Sequence, residues 1–146
     1  MIAMHQLLTI LFLSILVGSA QAENLVELRY VLAKQTDGAL AAKLDGDDLW
    51  LSPEVVVSDS DFEQVSVVAQ EQEFSILLKL GKHGAKRFDE FAESHLEERL
   101  AILVRGKVVS APVVRERKFG GMIEIAGNFN EKEALALMSA LNAKRE

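Results

Sequence analysis

The sequence predicts an α+β fold, a mostly antiparallel sheet of about five to seven strands with two main helices packed on one face. Three features lead there. Short apolar runs rich in β-branched residues recur at close spacing along the chain. Only two segments, residues 82–96 and 130–141, carry the helical period. No strand–helix unit repeats, as a parallel sheet would require.

The chain opens on residues 1–22, which read as an export signal, and residues 23–146 read as one domain. Residues 2–22 contain no Asp, Glu, Lys or Arg, and residues 7–17 are an apolar run. Ala20 and Ala22 supply the small side chains that signal peptidase pockets admit, and the first charge, Glu23, follows at once. The positive charge ahead of the apolar run falls to the α-amino group and His5. The alternative is an uncleaved anchor, since a membrane span needs about 20 apolar residues.

Residues 25–32 alternate in part and read as a strand, and residues 34–48, polar with Gly38 and Gly46, as a loop. Leu49-Trp50-Leu51 is a short strand stopped by Ser52-Pro53, and Val55-Val56-Val57 is another. Ser58-Asp59-Ser60-Asp61 offers N-cap residues for one helical turn through Glu63. Residues 65–69 and 74–80 read as a hairpin around Gln70-Glu71-Gln72-Glu73. In residues 82–96, Ala85, Phe88, Ala92 and Leu96, with Phe91 beside them, form one apolar stripe. Leu100–Val104 is continuously apolar, the mark of a buried central strand. Arg105-Gly106 is a tight-turn pair leading into Lys107-Val108-Val109, and Ala111-Pro112 confines that return strand to an edge or a bulge. A charged loop, Arg115-Glu116-Arg117-Lys118, precedes Gly120-Gly121 and a last strand from Met122. Asn130 caps the final helix with Glu133 as its capping-box partner, and Ala134, Leu137, Met138 and Leu141 form its buried stripe.

Composition narrows the function. There is no Cys, which removes thiol catalysis, thiol redox chemistry and Cys-based zinc sites. The formal net charge of −6, all of it after Ala22, argues against nucleic acid and anionic membrane surfaces as partners. Aromatic residues are too few, at 6%, for a stacking platform. No second stretch of membrane length follows Ala22.

No catalytic residue, cofactor site or metal site is assigned. His83 and His95 fall at opposite ends of one predicted helix, about 18 Å apart, too far to share a metal, and read as solvated. No nucleophile elbow or Ser-x-x-Lys occurs. Asp45-Gly46-Asp47-Asp48 lacks the spacing of a calcium loop, and Asp59 and Asp61 read as caps. Gly120-Gly121 leads into a strand, not a phosphate-binding helix N-terminus. Arg105, Lys107, Arg115, Arg117 and Lys118 are the one basic concentration, either a solvated face or a contact surface for an acidic partner.

A longer pattern runs through the second half: Phe74-Ser75-Ile76, then Gly84-Ala85-Lys86-Arg87-Phe88, then Arg99-Leu100-Ala101-Ile102-Leu103-Val104-Arg105-Gly106-Lys107-Val108-Val109-Ser110-Ala111-Pro112, then Gly120-Gly121, then Ile125-Ala126-Gly127-Asn128-Phe129 and Glu133-Ala134. In this order it resembles the head of the first periplasmic domain of SecD, a membrane subunit of the bacterial protein-export machinery. The likeness departs at Arg105, where that family has Asp, and at Met122-Ile123-Glu124, where it is more polar and glycine-rich. The resemblance implies structural roles for Gly106, Ser110, Pro112, Gly120, Gly121, Gly127, Asn128 and Phe129. It implies a non-catalytic periplasmic binding module, without cofactor, that contacts polypeptide substrates or an export partner in the cell envelope. SecD's membrane spans and proton coupling have no counterpart in this sequence, so binding alone is expected. The alternative is an inhibitor or accessory protein that docks on another envelope protein through residues 105–118.

Overall fold

The computed structural model describes residues 24–144; the expected export signal lies outside the described residues. Nine strands and two helices follow in order among them. The strands are β1 (Val26–Leu32), β2 (Leu40–Leu44), β3 (Asp47–Leu51), β4 (Val57–Ser58), β5 (Phe62–Gln70), β6 (Glu73–Leu80), β7 (Leu100–Val104), β8 (Lys107–Ser110) and β9 (Met122–Phe129). The helices are α1 (Lys82–Ser94) and α2 (Glu131–Ala143). Every strand pair is antiparallel, so the fold is α+β as expected.

The strands divide between two sheets. One runs β2-β3-β1-β7-β8 with β4 beside β1, and the other runs β5-β6-β9. Their inner faces meet in one core. Val26 and Leu28 of β1, Ile102 of β7, Ile76 and Leu78 of β6 and Ile125 of β9 pack there with Phe88 and Ala92 of α1 and Ala134, Leu137 and Leu141 of α2. The helical stripes are those the sequence predicts, and Asn130 and Glu133 make both arms of the capping box, at 2.8 and 3.1 Å. All five residues of β7 are buried. Leu100, Ile102 and Val104 face the main core, while Ala101 and Leu103 join Leu49 and Leu51 in a second cluster on the far face. That two-sided burial is why β7 reads as an unbroken apolar run.

Two local readings change. Residues 34–48 are not all loop, because β2 pairs with β3 along its whole length. Leu-Ala-Ala-Lys-Leu is weakly β-forming, so its strand state comes from pairing rather than propensity. Asp45-Gly46 is the two-residue turn of that hairpin, with φ of 51° and 87°. The second change is at Asp59–Asp61, a single 3₁₀ turn that runs straight into β5. Asp61 accepts the Ser58 N–H at 2.9 Å, as a cap would. Asp59 instead reaches β1, accepting the N–H groups of Leu25 and Val26, both at 2.7 Å, and the Lys144 ammonium at 2.6 Å.

Candidate functional site

The pattern that runs from Gly84 to Phe129 gathers at two places. At the first, α1 is clamped. Gly84 comes so close to the Asp61 turn that a Cβ there would lie 3.0 Å from the Asp61 Cβ. Arg87 donates to Asp61 at 2.6 Å and to the Val56 carbonyl at 3.0 Å. Gly121, at φ +74°, would meet the Ala85 Cβ at 3.3 Å if it carried a side chain. Phe88 is buried and rests on Phe119, whose N–H donates to Asp89 at 3.0 Å. These residues therefore position α1 against the Asp61 turn and the segment that leads into β9.

The second place is a groove of about 500 Å³, within the size range of ligand sites. The β7–β8 hairpin forms one wall through Val104, Arg105, Val108 and Val109, and α2 forms the other through Glu133, Ala136 and Leu137. Asn128 and Phe129, at the end of β9, close it, and Lys43, Leu44 and Asp45 of the β2–β3 hairpin reach in from beside β8. The lining is apolar in the middle. Lys43 and Arg105 bring positive charge to its rim, and Asp45 and Glu133 bring negative charge. Glu133 is held by its bond to Asn130, and Arg105 sits in a tight turn with φ 49°. Asn128, Phe129 and Glu133 also border a second depression against Gln72 and Glu73 of the β5–β6 hairpin.

The five basic residues singled out in the sequence do not form one patch. Arg105 and Lys107 sit at the turn where β7 ends. Arg115, Arg117 and Lys118 follow Val113 and Val114, which bond to Glu97, Glu98 and Arg99 before β7 begins. The five residues of β7 separate the groups by about 16 Å, at ~3.3 Å per residue. All five are exposed, and none is in an ion pair among the described residues. Ser110 pairs with Ile102 in β8, and Pro112 lies just beyond it, where its carbonyl accepts the Leu100 N–H at 2.9 Å. His83 is exposed, but His95 is not a free surface residue. It caps α1, bonds the Phe91 carbonyl at 2.9 Å and stacks on Phe91 at 4.1 Å, with Tyr30 at 5.0 Å.

The family model described as the SecDF P1 head subdomain matches residues 31–144. The chain belongs to that family.

Among curated relatives, SecD of Magnetococcus marinus is 38% identical over 68 residues, covering 47% of this chain and 13% of that protein. SecD of Syntrophobacter fumaroxidans is 36% identical over 80 residues, covering 55% and 15%. The chain thus spans a small fraction of the relatives it matches. A solved SecDF, described as a membrane component that enhances protein export, superposes with a TM-score of 0.60 at 23% identity, over 80% of this chain and 62% of that one. At that identity the likeness establishes the fold.

Within this P1 head, the groove is where sequence reasoning and structure converge least. Asn128 and Phe129 were legible as motif residues, but their meeting with Lys43, Asp45 and Ala136 was not. The available signal was the Asp45-Gly46 pair, which marks a hairpin and so places β2 at the sheet margin. No group of three or more His, Cys, Asp or Glu side chains arranged to hold a metal occurs among the described residues, and none of their helices is long and apolar enough to cross a membrane.

Proposed function

We propose that the chain is a non-catalytic periplasmic module of protein export, which holds extended polypeptide transiently in the groove between the β7–β8 hairpin and α2. One observation carries this reading: the motif residues Asn128 and Phe129 line the same groove as the apolar side chains of β8. Membership of the SecDF P1 head family supports the export setting. An extended chain turns alternate side chains to one side. Apolar ones bury against Val109, Phe129 and Ala136, and the Asn128 amide offers both a donor and an acceptor to the passing backbone. Each buried apolar side chain contributes about 1.5–3 kcal/mol. Two or three of them, less the ordering cost, give weak binding and quick release, which suits handling of many sequences.

Ala136 is exposed on the groove wall, so a photoreactive residue there should cross-link to unfolded exported proteins. Ala136→Trp should fill the groove and abolish cross-links from a probe at Val109, with the melting temperature unchanged. Cross-links that persist through Ala136→Trp sink the groove reading.

Residues 1–22 act in this proposal as a cleaved export signal. Intact mass of the periplasmic protein should then correspond to an N-terminus at Glu23, and a full-length mass would make the segment an anchor.

A second reading rests on the exposure of Arg115, Arg117 and Lys118 on a segment pinned at Phe119. They would dock an acidic envelope protein, and the chain would act as its inhibitor or accessory. Reversing the charges of Arg115 and Arg117 should then abolish binding and leave stability intact; if both changes are silent, this reading fails.

A further inference from the structure

The free edge of β5 carries an inference independent of the groove. β5 pairs with β6 and with no other strand among the described residues. The β5–β6 hairpin turns through two residues, Glu71 and Gln72, with Gln70 opposite Glu73. In such a hairpin the flanking pair exchanges both backbone hydrogen bonds, and bonded pairs recur at every second residue. Val68 with Ser75 and Ser66 with Leu77 are therefore bonded pairs. The residues between them, Val65, Val67 and Ala69, turn their N–H and C=O groups away from β6. None of these groups has another partner among the described residues.

Natural edge strands are usually guarded by Lys, Pro or brevity. A bulge and the single charge, Glu63, guard only its start; from Val65 to Gln70 β5 runs uncharged and without Lys or Pro. An apolar strip flanks the edge. On the outer face Val68 is 37% exposed. On the inner face α2 lies nearest β5 among the three strands, running from the 71–72 turn back to Asp59. The flank of α2 opposite the groove carries Leu135, 42% exposed, and Met138.

We propose that this edge pairs with the same edge of a second copy, joining two three-stranded sheets into one of six strands. The strand is self-complementary about Ser66. A two-fold axis there sets Val65 opposite the partner's Val67 and Gln64 opposite the partner's Val68, with no charges facing along the regular stretch. Centring on Val67 instead would bring the bulge that holds Glu63 up to the partner's turn at Glu71, and the meeting of two acidic side chains disfavours that register. The same axis brings the two α2 helices to one side of the joined sheet, with Leu135 and Met138 between them.

Ser66 supplies the test, because the chain has no cysteine. At the axis the two Ser66 residues form a non-bonded pair with Cα atoms about 4.5 Å apart, inside the range a disulfide spans. The protein as purified from the periplasm should show twice its monomer mass by sedimentation or light scattering. S66C should oxidise to a covalent dimer, whereas K107C, on the distant β8 edge, should not. S66K, which places two ammonium groups face to face, should give a monomer with an unchanged melting temperature. A wild-type monomer throughout a concentration series overturns the proposal. So does S66C that links to other envelope proteins but not to itself, or K107C that links as readily as S66C.

Discussion

Asp59 is 7% exposed, yet it accepts two backbone N–H groups and an ammonium, so its charge is fully satisfied. It ties the first strand to the turn before β5 and to the last residue of the described chain. Asp59→Ala should leave one buried and one half-buried donor unpaired and cost about 3 kcal/mol, read as a shift of the denaturant midpoint. Lys144 is partly exposed, so Lys144→Ala should cost less than half of that. Gly121 differs from Gly106 in a comparable way. Both have positive φ, but only Gly121 also faces a neighbour, Ala85. Gly121→Ala should cost about 2 kcal/mol or more and Gly106→Ala about 1 kcal/mol. Equal losses at the two sites would mean that the Ala85 contact carries no weight.

At the level of elements, three hairpins share one turn geometry but not one turn chemistry. Asp45-Gly46 and Arg105-Gly106 each place Gly at the second turn position, whereas Glu71-Gln72 has φ of 50° and 69° without any glycine. Two L-residues with side chains in that region cost roughly 1 kcal/mol each. Replacing the pair by Asn-Gly should stabilise the protein by about 1–2 kcal/mol and raise the melting temperature by several degrees. No rise would mean that side-chain contacts of Glu71 or Gln72 already offset the strain. Arg105, at φ 49°, carries the same strain at one turn position only, since Gly106 takes the other.

For the whole molecule, β7 decides cooperativity. Its two faces belong to different apolar clusters, so loss of the strand opens both. Ile102→Ala and Leu103→Ala act on opposite faces, and each should cost about 2–5 kcal/mol. Trp50, the sole tryptophan, stands on β3 beside the second cluster, while far-ultraviolet dichroism reports all elements. Both probes should give coincident transitions in both variants. A Trp50 transition that runs ahead in Leu103→Ala would show the β2–β3 margin to be a separate unit.

The local elements were legible because their causes are local. The stripe of Phe88 and Ala92, the Asn130–Glu133 capping box, the buried run of β7 and the Arg105-Gly106 turn depend on neighbours within a few residues. The order of motif residues likewise carried the family resemblance. What the sequence did not show was long-range. β2 has little strand propensity of its own and exists because β3 pairs with it. Arg105 and Arg115 look adjacent along the chain, but an antiparallel return strand carries them to opposite ends of β7. His95 reads as polar, and only the approach of Tyr30 and Phe91 gives it a stacked place. The groove and the free β5 edge belong to the same class. Periodicity states which face of an element is apolar, and tertiary pairing alone decides which neighbour covers it and which edge stays open.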